Sequence, residues 1–366
     1  MPAAEAGPCS ESTEKALRIV AEMRRAPMPP THPPPRLVSW NVTGRCHLAC
    51  PHCYMDASGR SGSGDLSTEE AFGVVDAVRV AGRPLLVLSG GEPLLRDDLE
   101  GIAARATTAG LPVALGTSGV LLSPERARGL RAAGVTAAAI SLDSTDPGRH
   151  DAFRGAPGAF AGAIAGMQAC REAGIRIQAN VTVTPDNIDE IEAILSLAAD
   201  NGAVSSQVFC LVPTGRGRDW AGPADYEALL VRLLGRIDEL PLPVRPTCAP
   251  QFMRIADELG VTRPEWRRGC LAGTAYCRIA PNGDLTPCPY LPVVVGSLLA
   301  EPFAALWQDA PVFAALRDPD RLHGACGVCE YRARCGGCRA RAYAVGGDLL
   351  GPEPWCPHVP GAGRAA

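Results

Sequence analysis

Between residues 37 and 212, short apolar runs alternate with stretches whose apolar positions recur at helical spacing. The runs are Leu37–Thr43, Leu85–Ser89, Val113–Thr117, Ala137–Leu142, Ile175–Val183 and Ser206–Val212. They read as strands, the first of them buried. The intervening stretches read as helices. Ser67-Thr68-Glu69-Glu70 forms a capping box, with Ser67 as N-cap and Glu70 reaching back, and Ala71, Val74, Val75 and Val78 then form one apolar stripe. Further helices are expected near Asp97–Ala109 and Pro124–Ala133, and around Phe160, Ile164 and Met167. Another opens at Asn187 and Glu190, with Ile188, Ile191, Leu195 and Ala198 inward. Strands alternating with helices at this spacing predict a parallel sheet with helical crossovers, an α/β fold. Six units are too few for a closed eight-stranded barrel, so a partial (β/α)6 TIM-like barrel is expected over residues 36–222.

The flanks differ in character. Residues 1–35 read as a flexible extension. Ser12–Arg25 is expected to form a short helix with Ala16, Ile19, Val20 and Met23 on one face, and the six prolines of Pro27–Pro35 read as a stiff extended linker. Cys9 is expected as a free thiol there. Residues 223–265 read as a helical link, with a helix near Asp225–Leu240. Residues 266–366 form a small cysteine-rich domain, with Pro281-Asn282-Gly283-Asp284 as a hairpin turn.

Charge and composition narrow the function. The net charge of −4 comes without basic runs, so no nucleic-acid partner is expected. Apolar stretches such as Val135–Leu142 are too short to span a bilayer, and no export signal opens the chain, so a cytoplasmic protein without a membrane partner is expected. Fifteen cysteines are many for such a chain, and most fall in two fields. That clustering points to metal rather than to a disulfide framework.

The first field is Cys46-x3-Cys50-x2-Cys53, directly after the first strand. Three thiolates at this spacing suit three corners of a 4Fe–4S cube and leave one iron open for a ligand. A zinc knuckle or three buried thiols are the alternatives. Other polar or glycine-marked positions fall at the ends of later strands, where parallel barrels carry their sites. Gly90-Gly91-Glu92-Pro93 follows the second strand and Thr117-Ser118-Gly119 the third. Ser141 and Asp143 end the fourth, Asn180 and Thr182 sit in the fifth, and Val212 ends the sixth.

With these motifs in this order, the sequence resembles the radical S-adenosylmethionine (SAM) enzymes. The resemblance implies that Cys46, Cys50 and Cys53 hold a 4Fe–4S cluster whose open iron binds SAM. It places His52, Gly90, Gly91, Glu92, Thr117, Ser141, Asp143, Arg154, Asn180, Thr182 and Val212 around SAM. Within that set Glu92 accepts from the ammonium, Ser141 and Asp143 hold the ribose, and Arg154 pairs the carboxylate. It also implies a 5′-deoxyadenosyl radical that abstracts hydrogen from the substrate, and an external one-electron donor of flavodoxin or ferredoxin type.

The second field resembles the SPASM extension of that family. By the family's interleaved pattern, one auxiliary 4Fe–4S cluster takes Cys270, Cys277, Cys288 and Cys338. A second takes Cys326, Cys329, Cys335 and Cys356. Many SPASM sequences place three residues before the fourth cysteine of the central run, whereas only Gly336 and Gly337 stand here. A structural zinc in this run is the alternative. Cys170 and Cys210 read as buried structural thiols.

Three runs, 211–217, 247–250 and 335–343, resemble the branch of alternative haem and denitrifier-haem biosynthesis, whose enzymes modify tetrapyrrole side chains. That resemblance makes Arg216, Arg218 and Arg245 candidate carboxylate contacts and Cys248 a candidate hydrogen donor. The same architecture serves maturases of ribosomally made peptides and dehydrogenases of sugars or alcohols in antibiotic assembly.

Overall fold

The computed structural model describes residues 32–57, 64–219 and 225–361. The helix expected at Ser12–Arg25, the start of the proline run and Cys9 lie outside the described residues. Residues 34–366 form one compact unit.

All six expected strands are present: β1 (Leu37–Asn41), β2 (Leu85–Ser89), β3 (Val113–Thr117), β4 (Val135–Ser141), β5 (Arg176–Val183) and β6 (Ala203–Cys210). They pair in parallel in chain order. Two strands lengthen the ladder. β7 (Val244–Thr247) pairs parallel to β6, and β8 (Tyr276–Ile279) pairs parallel to β1 on the opposite edge. β9 (Asp284–Thr286) and β10 (Gly296–Ser297) add antiparallel turns beyond β8. The predicted Pro281–Asp284 turn joins β8 to β9.

The segment 223–265 therefore holds more than helix. Helices Tyr226–Gly235 and Phe252–Glu258 flank β7. Pro246 masked that strand in the sequence; a proline without an N–H is tolerated on an edge strand, and β7 is the edge. A further helix, Pro147–Arg154, is also unannounced by any apolar stripe. Asp146 caps it, accepting from Arg149 N at 2.7 Å, Pro147 opens it, and Gly155 ends it in the left-handed conformation.

The helix stripes behave as their spacing dictates. The Ser67 and Glu70 capping box is formed, and Ala71, Val74, Val75 and Val78 are buried. The strands alternate in burial. Val38, Trp40, Leu86, Leu88, Ile140, Ile177, Val181 and Val208 point outward into the main core beneath the helices and are essentially inaccessible. Their neighbours, among them Ser39, Ser89, Ser141, Gln178, Asn180 and Thr182, are half-buried and point inward. One face is thus a dry core and the other a polar cavity. No helix among the described residues is long and apolar enough to cross a membrane.

Candidate active site

The inner face opens on a cavity of about 200 Å³ at the C-terminal ends of the strands. Cys46, Cys50 and Cys53 line it, as do His52, Gly90, Gly91, Thr117, Ser141, Arg154, Asn180, Thr182 and Val212. The cysteine loop is clamped from two sides. Gly91 N donates to Thr43 O at 2.9 Å and Glu92 N to Arg45 O at 2.7 Å. A Cβ on Gly91 would collide with the Arg45 carbonyl, and one on Gly215 with that of Cys53. The glycine after β2 was expected to admit a ligand; what it admits first is the backbone of the cysteine loop. From the other side, Arg216 N donates to Cys53 O at 3.0 Å and Arg216 Nε to Cys50 O at 2.9 Å.

Two expected SAM contacts do not face the cavity. Glu92 is wholly buried. It accepts from Thr117 Oγ1 at 2.6 Å, Ser118 Oγ at 2.6 Å, Ser118 N at 3.0 Å and Leu94 N at 3.3 Å. Both oxygens are thereby committed to fixing the turn after β3. Asp143 is likewise buried, accepting from Arg154 Nε at 2.7 Å and from Thr182 N at 2.8 Å. It orients Arg154 rather than offering itself to a ribose. Arg154 keeps Nη1 4.0 Å from Cys50 Sγ, so a fixed positive charge sits beside the thiol trio.

Two thiols of the trio are poorly solvated. Burial pushes Cys46 up to about 11, and burial raises Cys50 while Arg154 pulls it back. Such thiols need a cation before they become thiolates, which suits a metal cluster. His52 stacks on Phe153 with centroids 4.3 Å apart. Burial, reinforced by Arg154, holds it down to about 3, so the ring stays neutral. Phe153 carried no marker in the sequence beyond its place next to Arg154.

Further back in the barrel lies a polar aromatic group the sequence did not single out. Tyr54 and Tyr290 line the cavity edge to face, 5.1 Å apart. Asn41 Nδ2 donates to Tyr54 OH at 2.9 Å, Arg278 Nε donates to Asn41 Oδ1, and Ser39 Oγ meets Tyr276 OH at 2.7 Å. The inward positions of β1 and β8 bring these together. Of the three arginines proposed for carboxylates, only Arg216 lines the cavity. Arg218 is exposed, and Arg245 stacks over Phe252, 5.6 Å from its centroid.

Among the described residues no two cysteines are joined in a disulfide. Cys326, Cys329 and Cys356 stand near Cys335. Burial pushes Cys335 up to about 12, and the neighbouring Cys356, Cys326 and Cys329 add to the rise. Paired Glu330 and His358 stand beside Cys329. Left-handed turns at Gly336 and Gly337, φ +72° and +59°, carry the chain from Cys335 in this set to Cys338 in the other. The shortened spacing is thus accommodated.

The other set departs from expectation. Cys270, Cys288 and Cys338 share one apolar cluster, but Cys277 is not in it. Cys277 stands in the main core, fully buried. Strand alternation sends Tyr276 and Arg278 inward and Cys277 outward, opposite Val38. Cys248 packs against the cluster instead. Behind it lies an ion pair that the sequence left unmarked. Arg341 and Glu353 meet at 3.1 Å, both essentially inaccessible. Arg341 Nη2 also donates to Leu211 O at 2.9 Å and Cys248 O at 2.8 Å. Glu353 accepts from Cys338 N at 2.8 Å. Cys170 and Cys210 are buried, as read.

A thiol trio on the first loop of a parallel barrel, facing a polar cavity and followed by two further thiol sets, defines an iron–sulfur enzyme that works on SAM. Residues 40–198 match the radical SAM superfamily and residues 270–338 the SPASM iron–sulfur cluster-binding domain; the chain belongs to the radical SAM family, SPASM subgroup. Among its relatives, the AdoMet-dependent heme synthase of Methanosarcina barkeri is 44% identical over 340 residues, covering 89% of this chain and 97% of that protein. The pre-heme d1 synthase of Dinoroseobacter shibae is 33% identical, covering 88% and 86%. In fold, the chain is similar to Streptococcus suis SuiB bound to S-adenosylmethionine, with a TM-score of 0.69 at 17% identity over 90% of this chain and 78% of that one. The protein is accordingly a radical SAM enzyme using SAM and 4Fe–4S clusters.

Proposed function

We propose that this enzyme modifies the carboxylate side chains of a tetrapyrrole in haem-type biosynthesis. The observation that carries the reading is the 44% identity to an AdoMet-dependent heme synthase across 97% of that protein. The polar cavity supports it, with Arg216, paired with Asp56, at its rim as a cation for a carboxylate substrate. Cys46, Cys50 and Cys53 would hold the 4Fe–4S cluster, which when bound would supply the one electron that cleaves SAM to methionine and a 5′-deoxyadenosyl radical.

The chain's own residues then have separable tasks. Glu92 and Asp143 act as braces: one fixes the Thr117-Ser118 turn, the other aims Arg154 at the SAM carboxylate. His52 on Phe153 offers a flat neutral face to SAM. Ser141, Asn180 and Thr182 offer hydroxyl and amide groups to its ribose. Tyr54 and Tyr290 keep the substrate side of the cavity aromatic and shield it from bulk water. A flavodoxin- or ferredoxin-type protein supplies electrons, and the free thiols suit a reducing cytoplasm.

The test is anaerobic incubation of the reduced protein with SAM and iron-coproporphyrin, read by mass spectrometry. The expected result is 5′-deoxyadenosine together with a tetrapyrrole lighter by lost carboxyl groups. Formation of 5′-deoxyadenosine with an unchanged tetrapyrrole would overturn the substrate assignment and redirect attention to a peptide.

A further inference from the structure

We propose that Cys248 is the fourth protein ligand of the first auxiliary cluster, completing Cys270, Cys288 and Cys338, and that Cys277 is a core thiol with no part in it. Four separate segments deliver these thiols to one place: the corner after β7, the loop before β8, the turn after β9, and the glycine turn after Cys335. Cys248, Cys270, Cys288 and Cys338 share an apolar shell with Ala272, Leu291 and Leu316. The thiols of Cys248 and Cys338 are near enough to influence one another electrostatically. Cys288 and Cys338 are buried there, and Cys248 and Cys270 partly so.

The backbone at Cys248 is independent support. Its φ is +55°, and only one other non-glycine described residue, Asp56, is positive. An L-residue in that conformation costs about 1–2 kcal/mol, and such strain persists only where the surroundings over-determine it. Here Arg341 holds the Cys248 carbonyl at 2.8 Å. The partner segment is shaped to match. A Cβ on Gly269 would stand 2.8 Å from Pro250 Cα, so only a glycine lets the approach to Cys270 lie against the Cys248 corner. Gly269 N donates to Arg334 O at 2.8 Å and Cys270 N to Cys335 O at 3.2 Å, fixing that approach.

Cys277 cannot substitute. To turn inward it would need β8 to slip by one residue against β1, which would send Tyr276 and Arg278 into the dry core. With Cys248 in place the cube has a cysteine on every iron. A closed cube of this kind exchanges electrons and offers no open iron to the substrate.

The test uses the full chain with Cys46, Cys50 and Cys53 changed to alanine, so that only auxiliary clusters remain. Iron is counted after anaerobic reconstitution, the reduced protein is examined by electron paramagnetic resonance, and far-ultraviolet circular dichroism reports folding. The parent should hold about eight irons, two cubes of four. Cys277→Ala should keep that count and spectrum. Cys248→Ala should lose about four irons. Cys248→Ser, nearly the same shape, should fold and shift the signal of one cluster because oxygen replaces sulfur on one iron. The proposal is overturned if both Cys248 variants match the parent in iron and spectrum. It is also overturned if folded Cys277→Ala loses a cluster, or if the parent carries only about four irons.

Discussion

The turn between Cys335 and Cys338 invites a paired perturbation, Gly336→Ala against Gly337→Ala. Both glycines are left-handed, at φ +72° and +59°, so each alanine carries the same backbone cost of about 1–2 kcal/mol. Their surroundings differ. A Cβ at 336 would meet nothing nearer than Arg268 Nη2 at 3.6 Å, an ordinary contact. At 337 it would overlap Arg339 Nη2 and stand 3.0 Å from Glu353 Cβ and 3.1 Å from Cys326 Sγ. Arg339 cannot simply swing aside, because Nη1 donates to Gly351 O at 2.7 Å and Nε to Gly337 O at 3.3 Å. Overpacking of this kind adds about 1–3 kcal/mol. Gly337→Ala should therefore cost about 2–5 kcal/mol in all, and Gly336→Ala about 1–2 kcal/mol. The displaced groups include Cys326 of one thiol set and the backbone leading to Cys338 of the other. Thermal unfolding under anaerobic conditions and iron content after reconstitution read both effects. Gly336→Ala should keep its iron with a small loss of stability, and Gly337→Ala should lose auxiliary iron. Equal stability and equal iron in the two variants would refute the reasoning.

Two further outcomes follow from buried charge. His150 accepts from Asp143 N at 3.2 Å, and burial, with Arg154 nearby, pushes it down to about 4. Its depressed value makes the neutral ring favour the folded state, so its contribution of about 3 kcal/mol is complete above the usual histidine value near 6.5 and is lost as pH falls towards 4. Denaturant midpoints over that window should fall more steeply for the wild type than for His150→Phe; parallel curves would exclude this role. Glu353→Ala should cost about 3–5 kcal/mol by leaving the Arg341 charge buried without its carboxylate, whereas Glu353→Gln, which keeps acceptors for Cys338 N, should cost less. Indistinguishable unfolding midpoints for these two variants would contradict the ion pair's importance.

Much of the fold was legible because its signals are local. The capping box at Ser67, the stripe ending at Val78 and the apolar runs of β2 and β3 each depend on neighbours a few residues away. β7 was hidden by its length and by Pro246, and the helix at Pro147–Arg154 by its polar surface. The thiol trio was legible because its ligands lie within one loop. The roles of Glu92 and Asp143 were not. A carboxylate at the end of a strand can face a ligand or brace a turn, and only the positions of Thr117, Ser118, Thr182 and Arg154 decide which.

The chain's order alone determined the alternation of strand and helix, the cysteine loop after the first strand and the family to which these point, since each rests on spacing along the backbone. Tertiary structure alone decided which thiols stand together. Cys277 is seven residues from Cys270 yet faces away from it, and Cys248 is far along the chain from Cys338 yet touches it. Strand alternation and a left-handed corner set those directions, and neither leaves a mark in cysteine spacing.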